Sequence, residues 1–181
     1  MLLATPRTPV IEVTRRLVLG VPSDAAFALA ADLRHDARWR REVHQTTLDT
    51  PAPGVGSVAT EDAYRSARCP HELTRLAYVA YEPGRYVRCT AVAANPTWTD
   101  LERTFRPLDP ARTELTYTLR FERAVVQQAL GFAPPLWFLR WYTGWMMTRY
   151  LRRLQRLLAA EAGPAPTPST ALPTRATPRL S

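Results

Sequence analysis

The sequence predicts an α+β fold: a curved antiparallel sheet of about seven strands wrapped around a long C-terminal helix, with two short helices after strand 1. Three observations carry this prediction. A lone alternating segment at 8–20 precedes a capped helical pair at 23–43, a long run of extended segments follows, and an aromatic-rich helix at 134–162 comes last. Short strands spaced regularly by turn residues mark an antiparallel meander. One helix closing a curled sheet makes a cup.

In the first strand, Ile11, Val13, Leu17 and Leu19 share one parity against Glu12, Thr14 and Arg16, with Arg15 interrupting the apolar side. Gly20 ends it, and Val21-Pro22-Ser23-Asp24 starts a helix in which the Ser23 oxygen is placed to accept a backbone N–H. Ala26, Phe27, Leu29, Ala30 and Leu33 carry its period, and a second short helix at about 36–43 holds Trp39 among Arg38, Arg40 and Arg41. Strands are then expected at 44–50, 57–65, 72–81, 85–93, 98–107 and 113–123. The last is the cleanest, with Leu115, Tyr117, Leu119 and Phe121 on one face and Glu114, Thr116, Thr118, Arg120 and Glu122 on the other. Arg75 and Arg103 fall on an inward parity, as Arg15 does. An arginine in a solid core is prohibitively costly, so either a bulge slips the parity or the interior holds water, a carboxylate or a polar ligand.

Residues 125–132 read as a short helix or loop, and Pro135 suits the first turn of the long helix, where its missing N–H costs nothing. Leu139, Tyr142, Met146, Tyr150, Leu154 and Leu157 recur at three and four, with Arg149, Arg152, Arg153 and Arg156 opposite. The N-terminal half is apolar nearly all round: Leu136, Trp137, Phe138, Trp141, Trp145 and Met147 leave only Arg140, Thr143 and Gly144 for solvent.

A chain of 181 residues is long enough for one domain with a sizeable core, placed at 8–162. Residues 163–181, rich in Pro, Thr and Ala, bury too little to fold and are expected to be a disordered tail. All 24 basic residues are arginine, most simply a coding preference, and the net charge of +8 predicts weak attraction to anionic surfaces. No basic run with interleaved aromatics resembles a nucleic-acid module. Cys69, Cys89, His35, His44 and His71 show no recognisable metal-ligand spacing, so no metal site is expected. A nucleophile elbow, a glycine-rich phosphate loop and a zinc helix are all lacking, and no cofactor is expected. The N-terminus lacks the basic start and long apolar run of a signal peptide, making a cytoplasmic location the default.

The first strand leading into Val21-Pro22-Ser23-Asp24-Ala25-Ala26-Phe27, the stretch from Asp36 to Trp39, the Gly54-Val55-Gly56-Ser57 turn, Glu82-Pro83-Gly84-Arg85 and the strand pair before the long helix occur in a telling order. With these features the chain resembles the START-related, Bet v 1-like SRPBCC superfamily, and within it the polyketide cyclase/dehydrase and lipid-transport group. The resemblance covers about 10–162. It implies a helix-grip fold whose elongated cavity takes lipids, sterols, quinones or polyketides. It carries no fixed catalytic motif, so no catalytic residue is assigned; Arg88, Tyr64, Tyr78, Glu61 and His71 are chemically suitable for proton transfer or charge stabilisation.

The leading expectation is a carrier or sensor that holds a hydrophobic small molecule in a cavity lined by Trp141, Trp145, Met146, Tyr117 and Leu119, with Arg103, Arg75, Arg88 and Tyr78 as polar contacts. Two alternatives stand beside it. One is a cyclase or aromatase-like enzyme in which inward arginines stabilise an enolate. The other is a peripheral protein that meets anionic membranes through Arg140, Arg149, Arg152, Arg153 and Arg156. Oligomeric state is not legible.

Overall fold

The computed structural model describes residues 2–162; the expected tail lies outside the described residues. Seven strands, β1 (Val10–Leu19), β2 (Val43–Leu48), β3 (Val58–Ala63), β4 (Glu72–Glu82), β5 (Tyr86–Ala91), β6 (Thr99–Asp109) and β7 (Arg112–Glu122), form one antiparallel sheet ordered β1-β7-β6-β5-β4-β3-β2. Helices α1 (Ser23–Ala30), α2 (Arg123–Leu130) and α3 (Leu136–Glu161) and a 3₁₀ turn (Leu33–Arg38) complete the domain. This is the helix-grip arrangement. Because β1 and β2 lie at opposite edges, the segment joining them must cross the inner face, and α1 and the 3₁₀ turn make that crossing.

The β7 alternation survives intact and sets the inner face. Leu115, Tyr117 and Phe121 are buried there, and register places Arg15, Tyr117, Arg103 and Val87 in one row across β1, β7, β6 and β5. Phe27 of α1 meets Phe105 and Tyr81 edge-on, with ring centroids 5.2 Å apart in each case, which fastens the crossing segment to the sheet. Tyr78, fully buried, accepts from Leu33 N at 2.9 Å and so pins the 3₁₀ turn.

Three local expectations are corrected. The Ser23 side chain makes no cap; Pro22 is the N-cap residue and α1 begins without a side-chain hydrogen bond. The second short helix is a 3₁₀ turn at Leu33–Arg38, capped by Asp32, which accepts from Arg34 N at 3.0 Å. In β4 the inward parity is Thr74, Leu76 and Tyr78, leaving Arg75 exposed on the other face. Leu73, Ala77 and Val79 make the Arg75 parity look equally apolar, and Ala77 in fact packs outside with Val58 and Val92.

Along α3 the docked face is Leu139, Thr143, Gly144, Met147, Tyr150, Leu151, Leu154 and Leu158. It is rotated from the expected one, so Thr143 and Gly144 are inside rather than solvated. Gly144 is there because of a close approach: Arg15 Nε donates to its carbonyl at 3.1 Å, and a Cβ would sit 1.8 Å from Arg15 Nη2. Gln155 Nε2 reaches Val18 O at 3.0 Å, a second tie between α3 and β1.

Candidate functional site

Between the inner face of β3, β4, β6 and β7 and the helices α2 and α3 lies a cavity of about 430 Å³. Leu76, Leu101, Leu119 and Phe121 line the sheet side, while Val125, Val126, Ala129 and Leu130 of α2 and Phe138, Leu139 and Tyr142 of α3 line the helix side. Gly131, at φ +79°, ends α2 in the left-handed conformation and turns the chain through Phe132, which also lines the cavity, toward α3. The wall is mostly apolar, and its polar groups are few: Arg40, Glu61, Arg65, Tyr117, Tyr142 and the threonines Thr74, Thr99 and Thr143.

A buried ion-pair network stands behind the polar end. Arg40 Nη1 donates to Glu61 Oε2 at 2.7 Å and to Asp36 Oδ2 at 2.9 Å, and its Nε donates to Glu42 Oε1 at 2.9 Å. Arg103, fully buried, reaches both Asp36 oxygens at 2.9 and 2.6 Å and the Ala30 carbonyl at 2.6 Å. Its guanidinium sits in the corner formed by the edge-on rings of Trp39 and Tyr117, 4.8 Å from each ring centroid. Burial pulls both arginines toward neutrality, but the carboxylates outweigh it: Glu61 and Glu42 for Arg40, Asp36 for Arg103, so both pKa values are raised. The interior therefore resolves the inward-arginine puzzle with a carboxylate from 67 residues away.

The expected binding residues divide into two groups. Tyr117 and Leu119 line the cavity. Arg103 does not reach it, lying beneath Tyr117 in the network, and Tyr78 packs under the 3₁₀ turn with its hydroxyl's pKa pushed up by burial. Arg75 is exposed, and Arg88 lies on the outer sheet face, donating to Asp100 at 3.0 Å. Trp141 is 60% exposed and lines neither the cavity nor a groove beside it, while Trp145 and Met146 line that groove. The physical reason is the α3 rotation: a helix end apolar on every side does not reveal which side docks. Arg40, Arg65 and the α2 residues were missed; Glu61 was noted for its chemistry but not placed in the cavity.

Glu61 and Asp62 point to opposite faces, as adjacent strand residues must. Outside, His71 Nδ1 lies 3.1 Å from Asp62, and His44, Asp62 and His71 bring one potential metal-ligand atom each within 4.8 Å of one another. This is the one group of that kind among the described residues, and the histidine spacing alone does not betray it because the β2–β3 and β3–β4 pairings together create it.

A concave antiparallel sheet closed by a C-terminal helix over an internal hollow defines a helix-grip protein with a cavity. The sequence matches the family described as polyketide cyclase / dehydrase and lipid transport over residues 10–159, and the chain belongs to that family. Among solved structures it resembles a START superfamily protein from Mycobacterium smegmatis, with TM-score 0.65, 11% identity and coverage of 83% of this chain and 98% of that one. It also resembles the Zhui aromatase/cyclase from Streptomyces sp. R1128, with TM-score 0.61, 16% identity and coverage of 85% and 96%. A polyketide cyclase-like protein, Cgl2372 from Corynebacterium glutamicum, follows with TM-score 0.60, 18% identity and coverage of 86% and 95%. At these identities the likeness speaks to fold alone. No curated protein matches the sequence significantly.

Proposed function

We propose that this protein binds a hydrophobic small molecule, of lipid, quinone or polyketide-like character, as a carrier or sensor. The observation that carries the reading is the cavity of about 430 Å³ with its largely apolar wall, a size and lining suited to a small organic ligand. The ionisable groups beside it favour holding over chemistry: both Glu61 oxygens accept from Arg40, at 2.7 and 3.2 Å, so this carboxylate is engaged in a pair rather than poised to take a proton. Native mass spectrometry of protein expressed in a heterologous host, with displacement of the environment-sensitive probe N-phenyl-1-naphthylamine, tests it. A copurified apolar ligand or saturable probe uptake is expected; the lack of both overturns the reading.

A cyclase or aromatase-like activity is the second reading, supported by the family description and by Arg65, a cation at the cavity wall able to stabilise an enolate. Arg75, Arg88 and Arg103 do not line the cavity, and Arg40 there is taken up by Glu61, Glu42 and Asp36, which leaves that role to Arg65. A product profile from a poly-β-ketone substrate that is unchanged by Arg65→Gln removes this reading.

A further inference from the structure

A groove of about 1000 Å³ runs along the C-terminal half of α3, and its composition is unlike the rest of the surface. Six arginines line it, Arg41, Arg65, Arg149, Arg152, Arg153 and Arg156, against one acid, Glu42, whose Oε1 is already taken by Arg40. Elsewhere some arginines pair with acids, Arg120 with Glu12, Asp100 and Glu102, Arg106 with Glu114 and Arg112 with Asp109. Those without an acidic partner among the described residues, such as Arg16 on β1, Arg75 on β4 and Arg140 at the other end of α3, lie on separate elements. In the groove only Arg65 has an acidic partner among the described residues, and residues 163–181 contain neither Asp nor Glu. A coding preference chooses arginine over lysine; it does not gather unpaired arginines in one place. Arg149, Arg152, Arg153 and Arg156 also repeat at three and four along α3, a spacing at which like charges oppose the helix. Arg149 lies over the Trp145 ring, 4.6 Å from its centroid, which fixes the direction of one guanidinium.

The groove adjoins the cavity, with Arg65 and Tyr142 lining both. Resting on the carrier reading above, we infer that the ligand is an anionic amphiphile, its apolar chain in the cavity and a phosphate or phosphoester head in the arginine groove. Several planar, permanently charged forks suit a head with three or more anionic oxygens, which accept paired N–H donors from more than one arginine. Such a head is supplied either by a soluble alkyl phosphate or by a lipid in a bilayer.

The test compares decyl phosphate with decanol, both below micelle formation, as displacers of N-phenyl-1-naphthylamine from the wild type and from the double variant Arg149→Gln/Arg152→Gln, both exposed positions, whose fold is checked by circular dichroism and Tm. Decyl phosphate is expected to bind about tenfold more tightly than decanol, the preference shrinking with added salt and vanishing in the variant while decanol affinity stays put. Equal affinities in the wild type, or a preference that survives in the variant, overturn the groove assignment and leave the cavity reading standing. Probe uptake that neither compound displaces overturns the head-group assignment, and the cavity reading itself falls only if the probe is not taken up and no apolar ligand copurifies. Cosedimentation with phosphatidylglycerol vesicles without any preference for monomeric decyl phosphate overturns the proposal too, because the arginines then serve a bilayer surface and no head-group site.

Discussion

Asp36 is the residue on which the interior turns. It is fully buried and receives Arg103 on both oxygens and Arg40 on one, so a single carboxylate neutralises the centre of the network. Removing one partner of a buried pair leaves the others uncompensated, a change that costs about 3–5 kcal/mol. Asp36→Ala is therefore expected to lower unfolding free energy by about that much in a urea titration. Losing a surface pair such as Arg106–Glu114 is expected to cost about 1 kcal/mol or less. Glu122 works differently, since its carboxylate accepts backbone N–H groups from Arg7, Thr8 and Trp98. Burial raises its pKa, and the three backbone donors more than reverse that, holding it below the usual glutamate range. A depressed folded-state pKa means stability that is present above the unfolded value of about 4.3 and lost as pH falls through the folded one. Urea midpoints at pH 6 and pH 3 are expected to differ less in Glu122→Gln than in the wild type.

At the scale of elements, α3 shows what sequence patterns reveal and what they hide. The arginine side of its second half was legible, because charge and apolarity separate there at the helical period. Its first half was not, for Trp137, Trp141 and Trp145 look as buriable as Leu139 and Met147 until β1 presents Arg15 to Gly144. β7 read cleanly because its polar face is uninterrupted, whereas β4 did not, since apolar residues occupy both of its faces. The network escaped notice because Asp36 and Arg103 meet only through tertiary closure. Two contrasts follow for α3. Leu154→Ala, at a fully buried site, is expected to cost about 2–5 kcal/mol, while Trp141→Ala, at an exposed one, stays within about 0.5 kcal/mol; thermal and urea unfolding of the two variants compare them. Gly144→Leu drives a side chain into Arg15 and is expected to destabilise by about 1–3 kcal/mol, with loss of amide protection in β1.

For the molecule as a whole, no described helix is long and apolar enough to cross a membrane. The exposed aromatic end of α3 adjoins the cavity through Phe138, whose ring lies 5.9 Å from Trp137 and 5.8 Å from Trp141. The hollow itself gives a volume test. Leu119→Trp fills space without adding charge, and it is expected to weaken N-phenyl-1-naphthylamine uptake by about tenfold or more with the fold retained by circular dichroism. Among these parts α2 stands apart, for it walls the cavity with four apolar side chains yet has no buried residue of its own. Most helices owe their persistence to a packed side, and this one packs only partly, through Val125 and Val126 at the edge of the core, so an apolar guest would add to a thin contact. A guest molecule would then act as the absent portion of the hydrophobic interior, and its departure would register first as quicker deuterium uptake along residues 123–131, well before any strand of the sheet responded.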